Sequence, residues 1–309
     1  HFMKRLGDSV YRERSTATLK KPYLGSCEKA EIHDKTVLVY CDQGIGDALM
    51  CARYIPLLAA RAERVVLTVF HGFRALFGVL AETPNVDIIE FGDPLPAYDL
   101  HADLFSLPAL FQTTVDTIPP PEWLHPDPVW QSRWQTRWQS GPISKGLKIG
   151  LVWQGNVSHN RDAERSAKLV DLAPLLDTGH TFVSLQAGPG VEQIEALRTP
   201  DHPVPLTTFD EIADGIHQQT DQMVNCAALI DGLDLVITVD TAMAHLAGAL
   251  GKPAWIMVTK IPYWVFMLEG NRTPWYPKAT VFRARERYKW DSEVAEMVSL
   301  LKSDDPLAR

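Results

Sequence analysis

Leu233-Asp-Leu-Val-Ile-Thr-Val239 is followed by Asp240-Thr241, by Ala242-Met-Ala-His-Leu-Ala-Gly-Ala-Leu250, and then by Gly251, Pro253 and the apolar run Ala254–Val258. The first run is short and nearly continuous in apolar residues, which predicts a strand buried on both faces of a parallel sheet. Asp240 and Thr241 can each accept hydrogen bonds from the free N–H groups of a helix start. The small residues from Ala242 onward let a helix lie close to a sheet. Gly251 suits its stop, and Pro253 precedes the next strand. In such an α/β unit the turn at the strand's C-terminal end is where phosphate groups dock. His245, one turn into the helix, adds a candidate donor. A plain crossover helix with an Asp/Thr cap and a packed histidine fits the same spacing, so the stretch decides the fold before it decides the chemistry.

At 309 residues the chain is long for one core, and two domains are expected. A hydrophobic content of 46% with 22% charged residues describes an ordinary globular protein. The net charge of −8 argues against a nucleic-acid backbone as partner, which would need a basic surface. Cys27, Cys41, Cys51 and Cys226 are scattered without zinc or CxxC spacing, so buried free thiols in a reducing, cytoplasmic setting are expected rather than disulfides. No apolar run approaches ~18 residues, so no integral membrane segment is expected. No signal peptide is visible, and His1-Phe2 ahead of Met3 reads as a tag remnant.

Around the opening stretch the β/α rhythm runs twice. Residues 1–35 read as a polar, basic lead-in. Residues 36–41 read as a buried strand, 48–60 as an apolar helix, 64–70 and 86–91 as further strands, and 98–107 as containing a short one. Prolines 119, 120, 121, 126 and 128 then interrupt the rhythm. Trp130, Trp134 and Trp138 recur at four-residue spacing, placing three indoles on one helix face, where they either pack on a core or stack on a sugar. The rhythm resumes at residue 147. The expected division is a lead-in over 1–35, a Rossmann-like domain over 36–125 and a linker over 126–146. A second Rossmann-like domain over 147–285 follows, and a last helix over 286–309 returns to the N-terminal domain. The α/β class expected is two Rossmann-like domains facing across a cleft.

Three constellations carry chemistry. Gln43-Gly-Ile-Gly-Asp47 sits between strand and helix, where Gly44 and Gly46 allow close approach and Asp47 presents a carboxylate or caps the helix. It lacks the third glycine of a dinucleotide fingerprint and the Lys-Ser/Thr of a P-loop. The polar loop from Gln154 to Ser166 offers Gln154, Asn156, Arg165 and Ser166, with Arg165-Ser166 as a phosphate site. Ser184-Leu-Gln186 ends the next strand, so Gln186 can meet a base or ribose or act as a structural cap. With Gly44, Gly46, Asp240, Thr241, Ala242 and His245 these make up the candidate phosphate-binding set. Asp47 is the candidate base of a metal-independent transfer.

Asp42-Gln-Gly-Ile-Gly-Asp-Ala-Leu-Met-Cys-Ala-Arg-Tyr-Ile-Pro-Leu-Leu58 resembles the N-terminal motif of family 9 glycosyltransferases. It is closer still to the transferase-like C-terminal domain of bacterial tetratricopeptide-repeat proteins. Gly150-Leu-Val-Trp153, the Val239–Leu250 segment and Pro274-Trp-Tyr-Pro277 extend the likeness colinearly from about residue 36 to 301. The resemblance implies a GT-B fold and kinship with heptosyltransferases, inverting enzymes that use nucleotide-activated sugars. It implies Asp47 as base, and Asp240, Thr241 and His245 along the donor phosphates. The partners implied are a nucleotide-sugar donor, which is a substrate so that no cofactor is expected, and a protein or glycan acceptor. A repeat region outside this chain is a further expected partner. The chain departs from the pattern at Asp42, where the relatives carry Glu, and at Asn225-Cys226, where they carry Asp-Thr. No lysine stands out for the phosphates, which leaves Arg165 as the substitute. A catalytically silent nucleotide-sugar-binding or scaffold domain, and a two-domain sugar-nucleotide epimerase, remain alternatives.

Overall fold

The computed structural model describes residues 19, 21–26, 32–140, 146–198, 205–208 and 222–307. Cys27 and the polar stretch 210–221 lie outside them. The chain divides into two compact units, residues 1–125 with 219–223, and residues 126–218 with 224–309.

The N-terminal unit is built on a four-stranded parallel sheet. Its strands are β1 (Thr36–Tyr40), β2 (Arg64–Val69), β3 (Val86–Glu90) and β4 (Leu100–Asp103), in the order β3-β2-β1-β4. β1 is central and apolar on both faces, as a strand flanked on both sides must be. Helix α1 (Ile45–Cys51) starts three residues earlier than its apolar pattern predicts, so Gly46 and Asp47 lie within its first turn. It does not continue unbroken to residue 60, because a 3₁₀ turn at Ala52–Tyr54 leads into Ile55–Ala59. That step coincides with Pro56 at the second position of the following helical segment, where no backbone donor is needed.

The C-terminal unit carries six parallel strands: β5 (Lys148–Val152), β6 (Thr181–Ser184), β7 (Leu206–Thr207), β8 (Leu235–Val239), β9 (Ala254–Val258) and β10 (Ala279–Arg283). Their order is β10-β9-β8-β5-β6-β7. Counted within the unit this is the doubly wound order 3-2-1-4-5-6, which changes direction between β5 and β8. In the N-terminal unit the change falls between β1 and β4.

Most of the expected 126–146 linker is helix. α2 (Pro128–Ser140) belongs to the C-terminal unit, where Trp134 is buried and donates its indole N–H to Asn225 Oδ1 at 2.7 Å. Asn225 sits in α4 (Gln222–Asp231). Trp138 packs over Gly232, whereas Trp130 sits under the Arg133 guanidinium.

The last helix packs within the C-terminal unit. α6 (Asp291–Leu301) buries Val294, Met297 and Leu301, with Trp290, in the same cluster as Leu169, Leu172, Leu175 and Leu176 around α3 (Leu169–Leu176). Its amphipathic stripe finds its apolar partner within its own unit. Cys41, Cys51 and Cys226 are buried free thiols. Among the described residues no helix is long and apolar enough to cross a membrane.

Candidate functional site

Each sheet places polar residues where its strand order reverses, the position at which open α/β sheets take ligands. In the C-terminal unit the loop after β5 and the turn after β8 meet there. α5 (Ala242–Ala249) begins directly behind β8, with Thr241 as N-cap in extended conformation accepting from Met243 N at 3.3 Å. The helix closes with a Schellman motif. Gly251 at φ +66 donates to Gly248 O, and Lys252 N to Ala247 O. An eight-residue helix so fixed at both ends holds its first-turn N–H groups at the end of β8.

Arg165 reaches this turn from the β5 loop. Its Nη1 donates to the Asp240 carbonyl at 3.1 Å, and its Nε lies 3.3 Å from Asp162 Oδ1. The loop is drawn in by Ser166, whose hydroxyl accepts from Gly155 N at 2.9 Å and bonds Asp162 Oδ1 at 3.0 Å. Gly155 lets both side chains close over the loop: a Cβ there would stand 2.6 Å from Asp162 Oδ1 and 2.7 Å from Arg165 Nη2. Arg165, Asp240, Thr241 and Ala242 are therefore brought together.

The other expected donor residues are placed differently. Ser166 is occupied in shaping the loop. Asn156 makes a turn, its Oδ1 accepting from Ser158 N at 2.9 Å. Gln186 is buried, its Oε1 accepting from Trp153 N and Gln154 N and its Nε2 donating to Gln154 O and Pro189 O. It is a brace between two loops. Gln154 accepts from Gln193 Nε2 at 2.8 Å. His245 is buried, its Nδ1 2.6 Å from the Tyr276 hydroxyl and its ring against Phe266. Tyr276, within the Pro274-Trp-Tyr-Pro277 segment, was given no role in the sequence reading. Gly248 lets it approach, since a Cβ there would meet the Tyr276 ring at 2.1 Å.

In the N-terminal unit, Asp47 Oδ2 accepts from Gly44 N at 3.1 Å, so this carboxylate reaches back over the helix start. It lines a half-open recess with Cys41, Asp42, Gln43, Gly44, Ala48, Leu104 and Phe105, with room for about one water molecule. Asp42 stands beside it. One of its oxygens accepts from Gln43 Nε2 at 3.2 Å, and the other, Oδ1, is buried without a hydrogen-bond partner. Burial, then the nearby Asp103, then Asp47 push the Asp42 carboxyl up to about 6. Asp103 registers with Tyr40 across the β1–β4 pair and takes a 2.6 Å hydrogen bond from the Tyr23 hydroxyl. Asp42 and Asp103 escape a motif search because the strand register, not sequence spacing, brings them together. Among the described residues no three His, Cys, Asp or Glu side chains are grouped to hold a metal ion.

Residues 220–289, which include β8, α5, β9 and β10, match the sequence profile of glycosyltransferase family 9 (heptosyltransferase). The protein FlbA of Caulobacter vibrioides is 27% identical over 301 residues, 88% of this chain, which spans about half the length of that relative (47%). The fold is that of the E. coli ADP-heptose lps heptosyltransferase II, with a TM-score of 0.56 at 16% identity over 86% of this chain and 98% of that one. It is also that of the E. coli heptosyltransferase WaaC solved with ADP-2-deoxy-2-fluoro heptose, with a TM-score of 0.52 at 12% identity over 87% and 100%. The architecture is thus GT-B, two Rossmann-like α/β units.

Proposed function

We propose that this chain, a glycosyltransferase of family 9 by its residues 220–289 and its GT-B fold, moves a sugar from a nucleotide-sugar donor to a hydroxyl of a protein or glycan acceptor. The transfer inverts the anomeric carbon and uses no metal ion. The observation that carries the reading is the Arg165–Asp240 bridge, which sets a guanidinium beside the capped start of α5 at the reversal of the sheet. A guanidinium and a helix N-terminus together suit a diphosphate.

In this reading the acceptor hydroxyl oxygen attacks the anomeric carbon from the face opposite the diphosphate, and Asp47 takes its proton. The bond from that carbon to the diphosphate oxygen breaks. The charge left on the diphosphate is met by Arg165 and the first-turn N–H groups of α5. His245, seated on Tyr276, keeps that turn in place.

The test is a thermal-shift screen with ADP-, UDP-, GDP- and CMP-sugars, ADP-heptose first, followed by product analysis. Asp47→Asn should lower turnover by roughly 10²–10⁴-fold with donor affinity nearly unchanged. Asp240→Ala and His245→Ala should weaken donor binding instead. If Asp47→Asn abolished donor binding and left the rate at saturation intact, Asp47 would be a cap and not a base. Its hydrogen bond to Gly44 N favours one rival, a nucleotide-sugar-binding domain without turnover. Donor binding with no hydrolysis or transfer across a broad acceptor panel would select that rival.

A further inference from the structure

The recess beside Asp47 holds a second carboxyl that the proposed transfer does not use. Asp42 follows β1, and its Oδ1 is buried without any hydrogen bond. A buried, unbonded carboxylate oxygen is costly when charged, so the group favours the protonated form. The groups that face it add to this. Asp103 comes from the end of β4, Asp47 from the first turn of α1, and Gln43 donates to the other oxygen. Cys41, next to it in the chain, is a buried thiol held protonated by the same burial. Two carboxyl groups sharing a poorly solvated recess do not readily carry two negative charges, and a proton settles on the one whose charge is worse solvated.

We propose that Asp42 is a positioning residue that acts through Asp47: the proton that Asp47 takes from the acceptor hydroxyl passes across the shared recess and comes to rest on Asp42 Oδ1. The inference rests on the reading of Asp47 as base. The step balances. The acceptor oxygen loses a proton and gains the anomeric carbon, Asp47 returns to its ionised form, and Asp42 becomes a neutral acid that later releases the proton to water. The recess has room for the single water that such a passage needs. Asp42 must be ionised to receive the proton, so turnover should rise with pH through its titration near 6.

Two readouts on the whole chain test this. The first is ¹³C NMR titration of the chain labelled at aspartate Cγ. One resonance should titrate near 6 and vanish in Asp42→Asn. In Asp47→Asn and Asp103→Asn it should move to lower pH, because a facing negative charge is gone. The second is ADP release from ADP-heptose with water as acceptor, measured against pH. The acid limb should lie near 6 and shift to lower pH in Asp42→Asn, with the KM for ADP-heptose unchanged. An acid limb that stays in place in Asp42→Asn overturns the proposal. So does an Asp42 resonance that does not respond to Asp47→Asn. If the wild-type chain releases no ADP at any pH, the transferase reading with this donor fails, and the NMR coupling between Asp42 and Asp47 still decides whether the two share a proton. Should Asp42→Asn not fold, the shift of the same limb and resonance in Asp103→Asn supports the proposal, and its absence overturns it.

Discussion

Gly155→Ala separates binding from stability. The added Cβ would stand 2.6 Å from Asp162 Oδ1, 2.7 Å from Arg165 Nη2 and 2.9 Å from Arg165 Cζ. All three atoms are at the ends of side chains, so they can swing away without moving backbone, and the fold should lose at most about 1–3 kcal/mol, the usual range for overpacking. Those atoms are also the ones that set the guanidinium. Retreat by a few tenths of an ångström takes the 3.1 Å bond to the Asp240 carbonyl and the 3.3 Å contact with Asp162 to or past the hydrogen-bond limit. A charge-assisted hydrogen bond contributes about 1.5–3 kcal/mol, so ADP affinity should fall roughly 10–100-fold. Calorimetric titration with ADP measures it, beside Arg165→Ala and the double variant. The two single losses should not add, because both remove one guanidinium. If Gly155→Ala bound ADP as the wild type does while Arg165→Ala lost affinity, the positioning argument would be wrong.

Three further outcomes follow from the packing. Asp42 titrates at about 6 in the folded chain against an ordinary 3.8, so ionising it there costs up to about 3 kcal/mol. The folded state binds the proton more tightly, so this stability is present at acid pH and lost as pH rises to about 6. Asp42→Asn should therefore be more stable than wild type in urea unfolding at pH 7, with the gap closing below the ordinary carboxyl range, whereas a gap independent of pH would reject the assignment. Gly248→Ala would push the Tyr276 ring off α5 and break its contact with His245, at about 1–3 kcal/mol and with weaker ADP binding. Trp134→Phe leaves the buried Asn225 Oδ1 without its indole donor, which should cost about 1–3 kcal/mol in the same urea assay.

Much of the fold was legible because buried parallel strands announce themselves. Ala254–Val258 was readable to the residue. The stop of α5 was readable from Gly251, since only a residue tolerant of φ +66 serves there. The destination of α6 was not legible. Val294, Met297 and Leu301 declare an apolar face, but nothing in their spacing names the leucines of α3 as its cover. The same limit hid the Asp42–Asp103 pair, which depends on β4 settling beside β1 and not beside β3. Gln186 shows the converse. Its place at a strand end allowed either a ligand contact or a structural cap, and its amide is taken up by four backbone groups. Whether a polar side chain at such a position faces a substrate or braces a loop depends on backbone atoms far away in the chain.

The adjacency of β8 and β5 also bears on how the molecule acquires its shape. Lys148 N bonds Asp234 Oδ2 across 86 residues, and Arg165 bonds the Asp240 carbonyl across 75. Closing loops of that length precedes any reward from the contacts, which makes such pairings slow to form. Strands β6 and β7 can assemble on β5 first, yet the Arg165–Asp240 bridge does not exist until β8 inserts along the other edge of β5. Gain of ADP affinity during refolding should therefore lag the gain of secondary structure, so that the ligand reports the last long-range closure of this unit.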